Sequence, residues 1–265
     1  MKKIVLILIA VLTVSGVALA QDKPVKGSFG TEVQFNPFDQ DGHTFKLDAL
    51  KFRYFLTDKD ALRLKIGVYT NSGKFTDTDS EELNYGTASY ENEYKYSTGD
   101  FTLDLGYERH FDLNKRMSAY VGASVGFTRH FASTKIEGSE TYTESRYSET
   151  SSFTAEIKNG AILPDDFDGK VNMEDMLDKV TDRAYLGVNA AVFTGLDFYV
   201  YKGLYVGTEL GLSFKSQGDK KMKYEGQTID EDGHTNTFNT ESTGKFRQTE
   251  CKVYIEPVLR LGWIF

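Results

Sequence analysis

The chain has little cysteine, little proline and no long apolar run outside its first residues. It contains one cysteine and four prolines among 265 residues. The single cysteine, Cys251, excludes an internal disulfide, and scarce proline with abundant Tyr and Phe favours strands over disorder. No stretch after the N-terminal segment approaches the ~20 apolar residues of a membrane helix. The formal net charge of -8 argues against nucleic-acid binding, which calls for basic patches.

The N-terminal segment has the pattern of a secretory signal peptide. Two lysines precede an apolar run from Ile4 to Leu12, and Ala18-Leu19-Ala20 provides a small-residue cleavage site. We therefore expect a signal peptide over residues 1–20 and a mature domain over residues 21–265 that lies outside the cytoplasm. No cysteine follows the cleavage site, so a lipid anchor is not expected. A secreted chain without disulfides needs a closed, well-paired fold.

Period-two alternation of apolar and polar residues recurs through the mature chain and predicts an all-β protein. From Val253 to Phe265 every odd position is apolar or proline, and from Leu204 to Phe214 every even position is apolar or threonine. The predicted strands number eight. They involve residues 28–35, 45–54, 62–69, 101–108, 120–127, 186–198, 204–214 and 251–265.

Two of these segments depart from simple alternation. In the second strand the apolar positions change from odd to even near Ala49 and Leu50, which predicts a β-bulge. In the last strand Pro257 removes a backbone donor, so we expect a bulge or a bound water there.

The connections alternate in length. Short turns follow the second, fourth and sixth strands, whereas polar segments 71–99, 132–183 and 215–245 follow the third, fifth and seventh; the first link, 38–42, is short. Short periplasmic turns and long extracellular loops are typical of outer-membrane barrels. Eight strands place both ends of the chain on the periplasmic side.

The polar face of the strands distinguishes a membrane barrel from a soluble carrier such as a lipocalin, which would turn its apolar face inward. Acids and bases on the polar face are equal in number, and a narrow interior needs such balance because buried charges must pair. Basic residues facing lipid would cost roughly 2–4 kcal/mol each near mid-bilayer. The predicted interior set is Glu32, Lys51, Arg53, Arg63, Lys65, Asp104, Glu108, Asp197, Glu209, Lys252, Glu256 and Arg260.

Aromatic residues mark both ends of the predicted apolar face, as in the two interfacial belts of membrane proteins. The row near the short turns holds Tyr54, Tyr107, Phe198 and Trp263, and the row near the long connections holds Phe35, Phe127 and Phe214.

Over roughly residues 28–265 the chain resembles the small Gram-negative outer-membrane β-barrel family, which includes OmpX, the OmpA membrane domain and porin-like barrels. The run from Lys51 to Leu64 is similar to the family's second hairpin, and Trp263-Ile264-Phe265 is similar to its signal for the barrel-assembly machinery. The resemblance implies an eight-stranded antiparallel up-and-down transmembrane β-barrel in the outer membrane. It also implies a structural or surface-interaction role more often than catalysis.

The 132–183 segment contains an incomplete EF-hand-like pattern. Asp166, Asp168, Asn172 and Asp175 occupy four ligand positions, but position one is Pro164, which offers no side-chain oxygen. The alternative is a turn followed by a short helix capped by Asn172, with an apolar face formed by Met173, Met176, Leu177 and Val180. We prefer the helix and assign no metal site.

The sequence provides no catalytic or cofactor site. Ser124 and His130 share one strand and face but are six residues apart, roughly 20 Å, so they cannot form a nucleophile–base pair. We interpret His43, His110 and His234, which lie in turns and a loop, as solvated. Zinc ligand clusters and phosphate-binding glycine loops are missing from the sequence.

We therefore predict a monomeric barrel filled by side chains, with polar loops that can contact an extracellular protein or glycan. A narrow pore for ions or small solutes and a lipid-modifying enzyme are the alternatives. A ten-strand barrel with paired segments inside 132–183 also stays open. The expected partners are outer-membrane lipid and the assembly machinery.

Overall fold

The computed structural model describes residues 23–35, 49–144, 147–164, 177–242, 244 and 246–265; at 34–35 and 255–260 it describes the backbone alone. The described chain is an all-β protein with antiparallel pairing throughout. Its strands are β1 (Phe29–Phe35), β2 (Leu50–Phe55), β3 (Asp60–Leu83), β4 (Gly86–Asn114), β5 (Met117–Glu144), β6 (Tyr147–Lys158), β7 (Gly160–Ala161), β8 (Asp182–Arg183), β9 (Tyr185–Tyr201), β10 (Leu204–Asp219), β11 (Lys223–Ile229), β12 (Thr235–Glu241) and β13 (Arg247–Ile264). No helix in the described part of the chain has the length and apolarity that crossing a bilayer requires.

Eight of these strands form a closed ring. The order is β5-β4-β3-β2-β1-β13-β10-β9, and β9 returns to β5 through pairs from Met117↔Phe198 to His130↔Tyr185. The predicted count of eight is therefore confirmed for the ring. The ten-strand alternative is wrong, because β6 pairs with β5 and β11 and does not enter the ring.

The ring is polar inside and apolar outside, as the alternation predicted. Glu32, Lys51 and Arg53 are almost fully buried, whereas the outward Val125 and Leu105 are 66% and 59% exposed. The outward positions between the aromatic rows carry no charged residue on the described parts of β3, β4, β5, β9 and β10. A water-soluble ring would reverse this arrangement, because exposed apolar surface costs free energy in water.

We call one end of the ring the turn end, because the short connections lie there. At this end β1 begins and β13 ends. Phe29 and Phe265 exchange two backbone hydrogen bonds there, of 3.1 and 2.8 Å. The β9–β10 hairpin turns through Lys202 and Gly203, which both have positive φ (43° and 80°), as a type I′ turn requires. At Gly203 a Cβ atom would also overlap the carbonyl oxygen of Ile264. The predicted first link, 38–42, lies outside the described residues.

The irregularity predicted at Pro257 is confirmed. Between the pairs Gly207↔Arg260 and Glu209↔Glu256, β13 advances by four residues while β10 advances by two. An extra pair of residues in one strand leaves the inward and outward phases unchanged. This is why Val253 and Leu261, on either side of the irregularity, both face outward. The predicted bulge near Ala49 lies partly outside the described residues.

Beyond the other end of the ring, the strands continue as a sheet that we call the extension. It consists of residues 70–83 of β3, 86–99 of β4 and 131–144 of β5, together with β6, β11 and β12. The prediction of polar loops over 71–99, 132–183 and 215–245 is therefore wrong for most of these residues. Their Thr, Ser and Tyr alternate with charged residues, so the strand period was present without the usual apolar members.

One row of paired residues crosses all six strands of the extension. It runs Phe75↔Tyr94↔Ile136↔Ala155↔Gly226↔Phe238. Ile162, Leu177 and Val180 pack against this face. The opposite face carries an ion-pair chain in which Glu93 joins Lys74 and Lys95 at 3.0 and 2.8 Å.

The short helix predicted in the 132–183 segment is absent from its described part. Leu177 lies in a turn and Val180 follows it, and the Val180 amide donates to the Leu177 carbonyl at 3.4 Å. The predicted cap Asn172 and the face residues Met173 and Met176 lie outside the described residues. Burial of Leu177 and Val180 against the extension satisfies the apolar pattern that suggested a helix.

Candidate functional site: the interior of the ring

Arg53 is the centre of a buried ion-pair network. Its Nη1 donates to Asp197 at 2.7 Å, its Nε lies 3.0 Å from Glu108, and its Nη2 lies 3.6 Å from Glu32. Lys51 lies 3.7 Å from Glu32 on the same strand pair. Strands β1, β2, β4 and β9 bring these five predicted interior residues together, because the polar positions of each strand face the interior of the ring.

Arg63 forms a second centre above the first. It donates to Glu209 through both Nη atoms, at 2.7 and 3.1 Å, and to Glu108 at 3.0 Å. The Tyr120 and Tyr254 hydroxyls also donate to Glu209, at 2.9 and 3.1 Å. The two hydrogen bonds from Arg63 and those from the two hydroxyls replace the hydrogen bonds that the Glu209 carboxylate would make to water.

Apolar and aromatic side chains fill the interior of the ring between this network and the turn end. The cluster consists of Phe55, Ala61, Tyr199, Tyr205 and Ile264, all at most 7% exposed. Tyr205 joins the two layers, because its hydroxyl donates to Glu32 at 2.9 Å. The ion pairs and this cluster together fill the turn-end half of the interior.

The other half of the interior holds a cavity of about 610 Å³. Arg63, Glu209 and Phe193 line its floor, and Tyr69, Asp100 and Lys215 line it nearer the extension. A smaller cavity of about 180 Å³ shares Lys215 and continues toward Gln217 and Gln248. A space of this size is in the range of small-molecule sites, about 300–1,000 Å³.

His130 lies at the rim of the cavity between two carboxylates. Its Nδ1 lies 2.9 Å from Asp100 and its Nε2 lies 2.9 Å from Asp182. The ring stacks on Tyr185 at 4.9 Å between centroids. Both ring nitrogens therefore lie within hydrogen-bond distance of a carboxylate oxygen. The contact with Asp182 connects β8 to the ring.

The structure separates Ser124 from His130, as expected. Ser124 lines the cavity wall, while both nitrogens of His130 bond to carboxylates. His234 is solvated as predicted, with its side chain 75% exposed beside Asp230. His43 lies outside the described residues.

The interpretation of His110 as solvated is wrong. It is 3% exposed, with Nε2 at 3.2 Å from Glu108 and Nδ1 at 3.5 Å from Ser118. This serine–histidine–carboxylate set was missed because Ser118 lies across a turn from His110. Ser118 is only 4% exposed and also donates to the Phe111 carbonyl at 3.4 Å, so the set belongs to the packed interior.

The incomplete calcium motif at Asp166, Asp168, Asn172 and Asp175 lies outside the described residues. Within the described ranges, no group of three or more His, Cys, Asp or Glu side chains is placed to hold a metal ion.

The ring defines a class of all-β protein whose interior carries ion pairs and whose outer surface is apolar. Residues 43–217 match the model of a family described as "Putative OmpA-OmpF-like porin family". The match covers well over half of the chain, so the chain belongs to this outer-membrane porin-like family. The resemblance expected from the sequence is confirmed. Among curated proteins, no match to the chain was found.

Proposed function

We propose that the protein is a monomeric outer-membrane β-barrel whose ring crosses the bilayer and whose extension stands on the extracellular side. The supporting observations are the uncharged outward belt, the aromatic rows and the family. Tyr54 and Tyr107 are each 47% exposed in the turn-end row, and Phe127 and Phe214 are 39% and 44% exposed in the other. Outer-membrane lipid would contact the belt, and the assembly machinery would recognise β13.

The role we propose is structural or surface interaction, without catalysis, cofactor or nucleic acid. The observation that carries it is the extension itself, a paired six-strand sheet that has its own buried core. A loop that served only solubility would not need such a core. The hairpin tips present Tyr85 and Tyr147, which are 80% and 56% exposed. Rigid exposed tyrosines provide contact area at low entropic cost, which suits a protein or glycan ligand.

The test uses the full chain in proteoliposomes, applied to an array of immobilised glycans and extracellular proteins. We expect specific retention that falls at least several-fold in the double variant Tyr85→Ser, Tyr147→Ser. Tyr201→Ser is the matched control, because Tyr201 is 59% exposed at the opposite, turn end. Retention that is absent, or equal in all three proteins, would contradict the surface role.

A narrow pore is the second candidate, and the porin-like family favours it. The ion pairs of Arg53 and Arg63 and the cluster around Tyr205 oppose it, because they fill the turn-end half of the ring. Planar-bilayer recordings on the same protein distinguish the two functions. Steady, discrete openings would favour the pore and contradict a filled interior.

A further inference from the structure

The cavity in the ring has charged groups that the described side chains around it do not neutralise. Arg63 pairs with Glu209 on the floor, His130 with Asp100 at the rim, and Lys252 with Glu250 at 3.3 Å. Lys65, Lys215 and Asp104 also line the cavity, but none of them forms an ion pair with a described residue.

The three groups belong to one row of paired residues around the ring. The row runs Lys65↔Asp104↔Gly126↔Asn189↔Lys215. Lys65 and Asp104 are therefore neighbours on adjacent strands, where opposite charges normally pair.

Gly126 explains why Lys65 and Asp104 stay apart. A Cβ atom at Gly126 would overlap Oδ1 of Asp104, so the carboxylate occupies the space that the glycine leaves. There Asp104 accepts a hydrogen bond from Asn189 at 3.3 Å, on the side away from Lys65. The Lys65 ammonium is thus left to the cavity.

Lys215 likewise has no carboxylate partner among the described side chains. Its Nζ donates to the Tyr185 hydroxyl at 3.2 Å and lies 4.8 Å from the centroid of that ring. A neutral hydroxyl and a ring face orient an ammonium but do not neutralise it. The wall between the charges provides further hydrogen-bonding groups, Thr128 and Ser213.

We propose that this cavity binds a small zwitterion with two acidic groups and one amino group, such as a short acidic peptide. The two acidic groups would contact Lys65 and Lys215, and the amino group would contact Asp104. Lys65, Asp104 and Lys215 are partly buried in the cavity wall, where opposite charges attract more strongly than in bulk water, and a ligand with this charge pattern provides a partner for each of them. The inference does not depend on the proposed surface role of the extension.

The test is calorimetric titration of the full chain in detergent micelles with the dipeptide Ala-Glu, which carries two carboxylates and one ammonium. We expect saturable binding that weakens about tenfold or more for Ala-Gln, for N-acetyl-Ala-Glu and for Ala-Lys. Lys65→Met and Lys215→Met should each weaken Ala-Glu binding by a similar factor. Lys202→Met, in the turn-end hairpin, is the matched control and should bind as the unsubstituted chain does.

Asp104→Asn gives the sharpest result. It should weaken Ala-Glu about tenfold and leave N-acetyl-Ala-Glu unchanged, because the acetylated peptide has no ammonium for Asp104. Equal binding of all four dipeptides, or Ala-Glu binding that no cavity variant alters, would overturn the proposal. If a variant does not fold, side-chain NMR of the unsubstituted chain decides. Ala-Glu must shift the Lys65 and Lys215 signals, and unchanged signals overturn the proposal.

Discussion

At the scale of single residues, buried ions determine how the ring interior is built. Arg63 and Glu209 are 7% and 1% exposed and joined by two hydrogen bonds. Taking such ions out of water is costly, so a buried pair adds little net stability while a broken pair is strongly destabilising. The pairing therefore specifies which strands face each other across the interior.

Arg63→Met should destabilise the folded protein by about 3–5 kcal/mol, because it leaves Glu209 as a buried charge without its main partner. The paired change Arg63→Met with Glu209→Leu should recover most of that loss, because both charges are removed. Arg109→Met is the control: Arg109 is half-exposed beside Asp60, and such solvent-exposed pairs contribute little to stability. Urea unfolding in lipid vesicles measures all three, and an equal loss in the single and paired variants would contradict this account.

At the scale of elements, the extension is a sheet with its own core rather than a set of loops. Tyr94 and Tyr224 are at most 5% exposed in that core, and their rings contact Phe75 and Phe238 at centroid distances of 4.7 and 4.9 Å. Burial raises the pKa of Tyr94 and of Tyr224 to about 12. The folded extension therefore keeps both hydroxyls protonated at a pH where the unfolded chain loses them.

We expect the extension to lose stability as the pH rises from about 10, the pKa of an unfolded tyrosine, to about 12. In that window the folded state binds more protons than the unfolded state, so unfolding becomes more favourable with each increment of pH. Thermal unfolding between pH 9 and pH 12, followed by tyrosinate absorbance, measures the loss.

Tyr224→Phe should reduce this pH dependence, because phenylalanine has no proton to release. Tyr85→Phe is the control, since Tyr85 is 80% exposed at a hairpin tip. The same slope of stability against pH in both variants would show that the core tyrosines do not cause the loss.

At the scale of the whole molecule, the ring inverts the polarity of a soluble protein. Its exposed side chains include Leu105, Val125 and Val188, and its buried ones include Arg53 and Asp197. This arrangement is stable where the surroundings are apolar, and the extension restores a polar exterior above the belt. The ring and the extension therefore have opposite requirements for their solvent.

Leu105→Lys should reduce folding stability in lipid bilayers by about 2–4 kcal/mol, because it places an ammonium in the apolar belt. Ser97→Lys is the matched control: Ser97 lies on the same strand and the same face, but in the extension, and should cost less than about 1 kcal/mol. Folding into vesicles, followed by denaturant titration, compares them. Equal stability of the two variants would contradict a membrane position for the ring.

How much of the structure the sequence predicts depends on the range of the interactions involved. Alternation is local, so it predicted the eight ring strands and the inward phase of Glu32, Arg63 and Glu209. It failed for the extension, where Thr and Tyr take the place of apolar residues and pairing with neighbouring strands stabilises the strand. It also failed for His110, which is buried against Phe55 of β2 and against Ser118 and Tyr120 of β5.

The sequence by itself determined that this chain forms strands with one charged and one apolar face, and hence which residues turn inward. Tertiary structure alone decided that β9 closes on β5, that β6 stays outside the ring, and that Lys65 and Asp104 do not pair. The reason is that face and phase depend on the period of one strand, whereas closure, register and charge partnership depend on several strands meeting in space.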